Sequence, residues 1–153
     1  MSYNVKISWS KNADEIFTDK KYSRAHTWIF DSGIELKASS SPHVVPLPYS
    51  VENAVDPEEA FVASVSSCHM LAFLPLAADK NYIVESYEDN AEGVLAKNSE
   101  RILSMTKVTL KPKIIFSGDN IPTKNQLDEL HHLAHEQCFI ANSVKTMISI
   151  IPV

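Results

Sequence analysis

The feature that most constrains this fold is a long apolar run, from Ala60 to Ala78, that contains no charged residue. The run follows the sequence Asp56-Pro-Glu-Glu, in which Asp56 can be the N-cap, Pro57 fits the first helical turn and Glu59 can complete a capping box. A helix that is apolar on all sides is normally buried on all sides. We therefore predict a helix over this run, placed at the centre of the core.

A transmembrane helix is the alternative for this run, because about 20 apolar residues are enough to span a bilayer. However, the run contains three serines, His69 and Pro75, and no basic residue flanks its start. Segments with alternating polarity, which are typical of strands, surround it on both sides. We therefore expect the core of a soluble protein, with no membrane partner.

The remaining pattern predicts strands and one further helix. Thr123 and Gln126 fit a capping box for a helix that ends near Gln137. Alternation predicts strands over Tyr3–Ser10, Arg24–Phe30, Ile34–Ala38, Tyr82–Ala96, Met105–Phe116 and Val144–Ile151. The order β-β-β-α-β-β-α-β is typical of an α+β protein, and the length of 153 residues fits a single domain over residues 1–153.

Charge and cysteine content narrow the functional classes. A net charge of −5 and the absence of any Lys/Arg-rich run argue against a nucleic-acid partner. The N-terminus lacks a basic start followed by an apolar run, so we expect a cytoplasmic protein. A structural disulfide is unusual in that compartment. Cys68 and Cys138 are therefore buried bystanders, metal ligands or redox groups.

Cys68 lies within the apolar run, and its surroundings bear on its chemistry. A thiol in apolar surroundings is inert unless a cation stabilises its thiolate. The run itself supplies no cation, and His69 points about 100° away around the helix. A reactive Cys68 would therefore need a positive partner from elsewhere in the protein.

Two motifs carry a resemblance to a known family. One is the stretch Val55-Asp-Pro-Glu-Glu-Ala-Phe-Val-Ala-Ser-Val-Ser-Ser-Cys-His-Met-Leu, and the other is Cys138-Phe-Ile-Ala-Asn-Ser-Val. In this order and at this separation, they resemble the helix motif and the second-cysteine motif of the OsmC/Ohr family. That family comprises osmotically inducible protein C and the organic hydroperoxide resistance proteins. The resemblance extends from about Tyr22 to the end of the chain.

The resemblance implies a two-cysteine peroxidase that needs no cofactor or metal. Cys68 matches the peroxidatic cysteine, Cys138 the resolving cysteine, and Glu58 the glutamate that follows the helix-starting proline. Arg24 matches, by position, an arginine of the N-terminal strands, and Arg101 is the only other arginine in the chain. The implied reaction reduces an organic hydroperoxide through a sulfenic acid on Cys68 and a Cys68–Cys138 disulfide. An external dithiol, of the lipoyl type or another small dithiol, then reduces the disulfide.

Helix geometry and the resemblance together predict a homodimer. On one continuous helix the Cα atoms of Glu58 and Cys68 would be about 15 Å apart and about 80° apart in direction. Either Arg24 bridges them, or a second subunit supplies Glu58. The resemblance implies interlocked dimers with an antiparallel sheet wrapped around the central helix. We expect an apolar interface larger than about 2,000 Å² in total.

The histidines and a second functional class stay open. His131 and His135 have the i,i+4 spacing of a metal pair, although no acidic third ligand of a zinc protease lies beside them. Packed or solvated helix histidines are the simpler interpretation. His26 shares a predicted strand with Arg24 and is a candidate for the same pocket. The alternative function is a non-catalytic ligand- or metal-binding protein of the same fold, with Cys68, His69 and Cys138 as ligands.

Overall fold

The computed structural model describes residues 1–153, which form eight strands and two α-helices in the order β1-β2-β3-α1-β4-β5-β6-β7-α2-β8. The chain divides into two compact units, residues 1–60 and residues 61–153. The predicted α+β class is confirmed. The predicted order is wrong in one respect, because four strands rather than two lie between the helices.

Residues 1–60 contain a three-stranded antiparallel sheet. Its strands are β1 (Val5–Ser8), β2 (His26–Phe30) and β3 (Glu35–Ala38), in the spatial order β1-β2-β3. The turn between β2 and β3 places Gly33 at φ 84°, in the left-handed region that favours glycine. These strands confirm the three predicted from alternation but are shorter, so Arg24 lies ahead of β2 rather than within it.

The first helix, α1 (Pro57–Asp79), begins where the sequence predicts. The Oδ1 atom of Asp56 accepts a hydrogen bond from the Glu59 backbone N–H at 2.7 Å, which confirms Asp56 as the N-cap. Pro57 occupies the first helical position, where its missing N–H costs no intrahelical hydrogen bond. The residues that begin the helix are thus those that the sequence indicates.

The expectation that α1 is buried on all sides is wrong for the single chain. Only Val65, His69, Phe73 and Ala77 are fully buried. On another face, the i,i+4 series Ala63, Ser67, Leu71 and Pro75 is exposed, and Leu71 is 63% exposed. One chain has too few elements to cover a helix around its whole circumference. By length and composition alone, α1 also meets the requirements of a membrane span. We call the exposed series Ala63, Ser67, Leu71 and Pro75 the α1 stripe.

Residues 61–153 contain two small sheets. β4 (Ile83–Asp89) pairs with β7 (Pro112–Ser117) in antiparallel fashion. In the other sheet, β6 (Leu103–Leu110) lies between the antiparallel β5 (Glu92–Lys97) and the parallel β8 (Met147–Ile150). The β6–β8 pair departs from the expected antiparallel sheet.

The predicted single strands Tyr82–Ala96 and Met105–Phe116 are each two strands. The second break falls at Lys111-Pro112, where proline has no N–H to donate and Lys111 N–H donates instead to Asp89 Oδ1 at 2.6 Å. The alternating polarity continues across this break, which is why it does not reveal the change of sheet.

The second helix, α2 (Lys124–Gln137), has the predicted capping box between Thr123 and Gln126. One core cluster joins this helix to α1 and to β4 and β7, and its buried members are Phe73, Ala77, Tyr82, Leu130 and Ala134. A second cluster joins α1 to β6 through Val65, Val108 and Leu110. These contacts fix the position of α1 relative to the C-terminal end of α2.

Candidate active site

The fold of residues 61–153 brings the two cysteines together, although they are 70 positions apart in sequence. Cys68 lies on α1 and is half-buried, whereas Cys138 directly follows α2 and is 1% exposed. The pKa of Cys138 is raised to about 11, mainly by burial and in addition by hydrogen bonding with the Cys68 thiol. The two thiols are therefore neighbours, and both are free.

Backbone hydrogen bonds hold Cys138 in place. Its N–H donates to the carbonyl of His135 at 3.2 Å, and its carbonyl accepts from the N–H of Asn142 at 3.0 Å. Its Sγ accepts from the N–H of Ala141 at 3.4 Å. The Asn142 side chain donates to the Glu136 carbonyl at 2.8 Å and ties the turn to the last residues of α2. The second-cysteine motif is thus also the motif that ends the helix.

The environments of the two thiols differ in a way that separates their chemistry. The raised pKa keeps Cys138 protonated at neutral pH. Cys68 is the more accessible of the two. If Cys68 is oxidised to a sulfenic acid, a protonated thiol is already beside it and can condense with it to form a disulfide.

Arg24 lies just before β2 and is anchored within residues 1–60. Its Nη1 donates to the carbonyls of Lys20, at 2.8 Å, and Tyr22. The guanidinium lies 4.0 Å from the centroid of the Tyr22 ring, in a cation–π contact. A guanidinium has five N–H donors, and both of these carbonyls accept from Nη1. The donors on Nε and Nη2 are therefore not used by them.

Glu58 lies in the first turn of α1 and is half-buried. Its Oε2 is buried and has no hydrogen-bond partner. Within residues 1–60, Glu58 and Arg24 form neither a hydrogen bond nor an ion pair with each other. The contact expected between this glutamate and this arginine is not present in the single chain, and the Glu58 Oε2 keeps a free acceptor position.

A buried histidine pair between α1 and α2 was not predicted. The Nε2 of His69 lies 3.0 Å from the Nδ1 of His131, and the rings stack 5.3 Å apart. Burial lowers the pKa of both rings to about 4, so both are neutral at physiological pH. The helical spacing of His131 from Leu127 and Ala134 places it on the apolar face of α2, and that spacing was the available signal.

His26 has a defined tautomer in residues 1–60. The Trp28 Nε1–H donates to its Nε2 at 2.9 Å, so Nδ1 carries the proton and donates to the Arg24 carbonyl at 2.8 Å. His26 therefore supports the backbone of Arg24, and both of its ring nitrogens are occupied. This differs from the expectation that it lines a pocket beside Arg24.

The structure contains no group of three or more His, Cys, Asp or Glu side chains arranged to hold a metal ion. Cys68, His69 and Cys138 therefore do not form a ligand set, and His131 pairs with His69 rather than with His135. The metal-binding alternative has no supporting geometry in this chain.

Comparison with known proteins identifies the family. Residues 50–152 match the family model described as OsmC-like protein, and no curated protein matches. An OsmC-like protein of unknown function from Vibrio cholerae is 56% identical, with a TM-score of 0.98 over 100% of this chain and 99% of that one. The organic hydroperoxide resistance protein OhrB of Bacillus subtilis is 17% identical, with a TM-score of 0.72 over 100% and 98% of the two chains. A corresponding protein from Legionella pneumophila is 18% identical, with a TM-score of 0.69 over 99% and 95%. The Bacillus and Legionella comparisons show a shared fold, and the family model together with the Vibrio cholerae protein shows that this chain belongs to the OsmC-like family.

Proposed function

We propose that this protein is a two-cysteine thiol peroxidase that reduces organic hydroperoxides to alcohols in the defence against oxidative or osmotic stress. The observation that carries the proposal is the juxtaposition of a half-buried Cys68 and a buried, protonated Cys138. The fold shared with organic hydroperoxide resistance proteins supports it.

In the first step the Cys68 thiolate attacks the outer oxygen of the hydroperoxide. An S–O bond forms as the O–O bond breaks, Cys68 becomes a sulfenic acid, and the leaving alkoxide takes up a proton to give the alcohol. The sulfur is oxidised by two electrons, and the peroxide is reduced by two.

In the second step the Cys138 thiol attacks the sulfenic sulfur. A disulfide forms and water leaves, carrying the sulfenic oxygen. An external dithiol, of the lipoyl type or another small dithiol, then reduces the disulfide by two successive thiol–disulfide exchanges and is itself oxidised to a disulfide. The raised pKa of Cys138 suits a thiol that waits for the sulfenic acid rather than one that attacks first.

Arg24 and Glu58 are proposed to activate the first step. An arginine is charged at any working pH, so it can stabilise both the Cys68 thiolate and the developing alkoxide. The unpartnered Oε2 of Glu58 can orient the guanidinium through the N–H groups that Arg24 does not use on carbonyls.

A second copy of the chain is proposed to complete the site, as a homodimer. The α1 stripe leaves apolar surface uncovered on the helix that carries Cys68, and a second copy can bury it. We further propose a cytoplasmic location, because a reducing compartment keeps two neighbouring thiols available for turnover.

Turnover of cumene hydroperoxide with a dithiol tests the proposal, with hydrogen peroxide as the competing substrate. We expect the wild type to prefer cumene hydroperoxide and Cys68→Ser to be inactive. Equal activity in Cys68→Ser, or zinc bound stoichiometrically after purification together with no peroxidase activity, would contradict the proposal.

A further inference from the structure

Residues 61–153 enclose an open groove with a volume of about 630 Å³ that does not include either cysteine. Its walls come from α1, from the end of β5 and the turn after it, from the start of β6, and from the segment before β8. The lining residues are Phe61, Lys97, Asn98, Ser99, Ser104, Met105, Thr106, Val144, Lys145 and Thr146.

The polar part of the groove contains both donors and acceptors. Asn98 uses Oδ1 to accept from the N–H groups of Glu100 and Ile102, so its amide nitrogen keeps its two donors. Thr146 and Thr106 donate their hydroxyl hydrogens to strand carbonyls, which fixes their orientation. Of these three side chains only Asn98 keeps free donors, whereas the two threonine hydroxyls offer acceptor lone pairs.

The charge in the groove is wholly positive. Lys97 and Lys145 line it, and no aspartate or glutamate does. Within residues 61–153 neither lysine forms an ion pair, whereas Lys111 and Lys124 both have carboxylate partners. Two lysines without carboxylate partners thus line one groove of a chain whose net charge is −5. Positive potential concentrated in a concave surface attracts anions.

The groove also has an apolar wall, which Phe61, Met105 and Val144 provide. A bare inorganic anion would leave this wall in contact with water, whereas an organic anion can cover it with its body. Ligand sites commonly combine such an apolar wall with a few convergent polar groups.

We propose that this groove binds an organic anion, with its carboxylate or phosphate between Lys97 and Lys145 and a compact apolar body against Phe61 and Met105. The site is separate from the two thiols. Phe61 is seven residues before Cys68 on α1, which places it about two helical turns away on the same face. The proposal does not depend on the peroxidase activity.

Fluorescence titration with 2-naphthoate tests the proposal, with 2-naphthyl phosphate to compare the two anionic groups and 2-naphthol as the neutral control. All titrations use the full chain carrying Cys68→Ser, so that thiol oxidation does not contribute. We expect saturable binding of at least one of the two anions. Binding of 2-naphthol should be at least tenfold weaker, because the neutral compound lacks a charge-assisted hydrogen bond, which contributes about that factor. The affinity should fall as salt is added.

Lys97→Gln and Lys145→Gln should each weaken anion binding by about tenfold. Lys113→Gln is the matched control, since Lys113 is an exposed lysine of β7 outside the groove, and it should leave the affinity unchanged. Equal binding of naphthol and naphthoate, an unchanged affinity in both groove variants, or an equal loss in Lys113→Gln would overturn the proposal. Circular dichroism of each variant confirms that the fold is intact.

Discussion

The imidazole rings of His69 and His131 lie stacked in the interior, with Nε2 of His69 3.0 Å from Nδ1 of His131. Both side chains are almost completely buried, at 1% and 3% exposure. One ring must donate and the other accept, so the contact requires at least one neutral ring, and the lowered pKa of each ring keeps both neutral at physiological pH. The pair joins the helix that carries Cys68 to the helix that ends at Cys138.

This pair should make the protein acid-sensitive. The pKa of each ring is about 4 in the folded chain, against an ordinary value of 6.5. Burial is the main cause for both; His131 and His135 lower the pKa of His69 further, whereas Asp128 and Asp89 act in the opposite direction on His131. Between these pH values the unfolded chain binds more protons than the folded chain, so the free energy of unfolding falls as the pH falls from 6.5 towards 4. Each histidine contributes up to about 1.4 kcal/mol per pH unit to this slope. Urea unfolding across this range measures it.

The double variant His69→Phe/His131→Phe should have a flatter pH dependence, because it removes both groups while keeping rings in the stack against Phe73. His132→Phe is the matched control, since His132 is exposed on the same helix. In this variant the free energy of unfolding should depend on pH as it does in the wild type. A wild-type slope that the double variant does not reduce would contradict this assignment. Direct titration of the His69 and His131 ring protons by NMR gives the same answer if the double variant does not fold.

Local signals predicted much of the fold, because they depend on a few adjacent residues. Asp56-Pro57 marks the start of α1, and Thr123 with Gln126 marks the start of α2. The change of sheet at Pro112 escaped prediction because both flanking strands keep the same alternation. Whether α1 is covered depends on how many elements one chain can place around it, which hydropathy does not encode.

The candidate site divides in the same way. The pair Cys68 and Cys138 came from the resemblance between motifs, and the structure brings those two thiols together. The contact between His69 and His131 joins residues 62 positions apart, so no local pattern contains it. Arg24 and Glu58 keep their predicted roles as proposals, because Arg24 donates to backbone carbonyls and the Glu58 Oε2 has no partner, so the two do not meet in the single chain.

Replacement of the second thiol should separate the two chemical steps. Cys138→Ser should consume about one equivalent of hydroperoxide and then stop, because a serine hydroxyl does not condense with the Cys68 sulfenic acid. Trapping with a dimedone probe and mass spectrometry should locate the sulfenic acid on Cys68. A sulfenic acid that forms in Cys68→Ser but not in Cys138→Ser would reverse the assignment of the two thiols.

Arg24→Met should slow oxidation of Cys68 by roughly 10²-fold or more, which is the usual effect of losing one electrostatic stabiliser. Arg24→Lys should restore only part of the rate, since a point charge lacks the planar fork of a guanidinium. The only other arginine, Arg101, lies in the turn between β5 and β6, so Arg101→Met is the matched control. Stopped-flow oxidation rates as a function of pH provide the measurement. A wild-type rate and pH profile in Arg24→Met would remove Arg24 from the site.

The α1 stripe should form part of a dimer interface. Leu71 is 63% exposed on the helix that carries Cys68, and a two-fold axis beside it would bury the same stripe of both copies. We therefore expect the wild type to sediment as a dimer at micromolar concentration. Leu71→Glu should shift it towards monomer, because the interface would then bury an unpaired charge. Peroxidase activity should fall with the dimer fraction if the second copy supplies Glu58 or Arg24.

Ile121→Glu is the matched control, since Ile121 is 57% exposed but lies in the loop before α2. This variant should stay a dimer. A wild-type monomer with full peroxidase activity would rule out this arrangement, and a Leu71→Glu dimer would place the interface elsewhere.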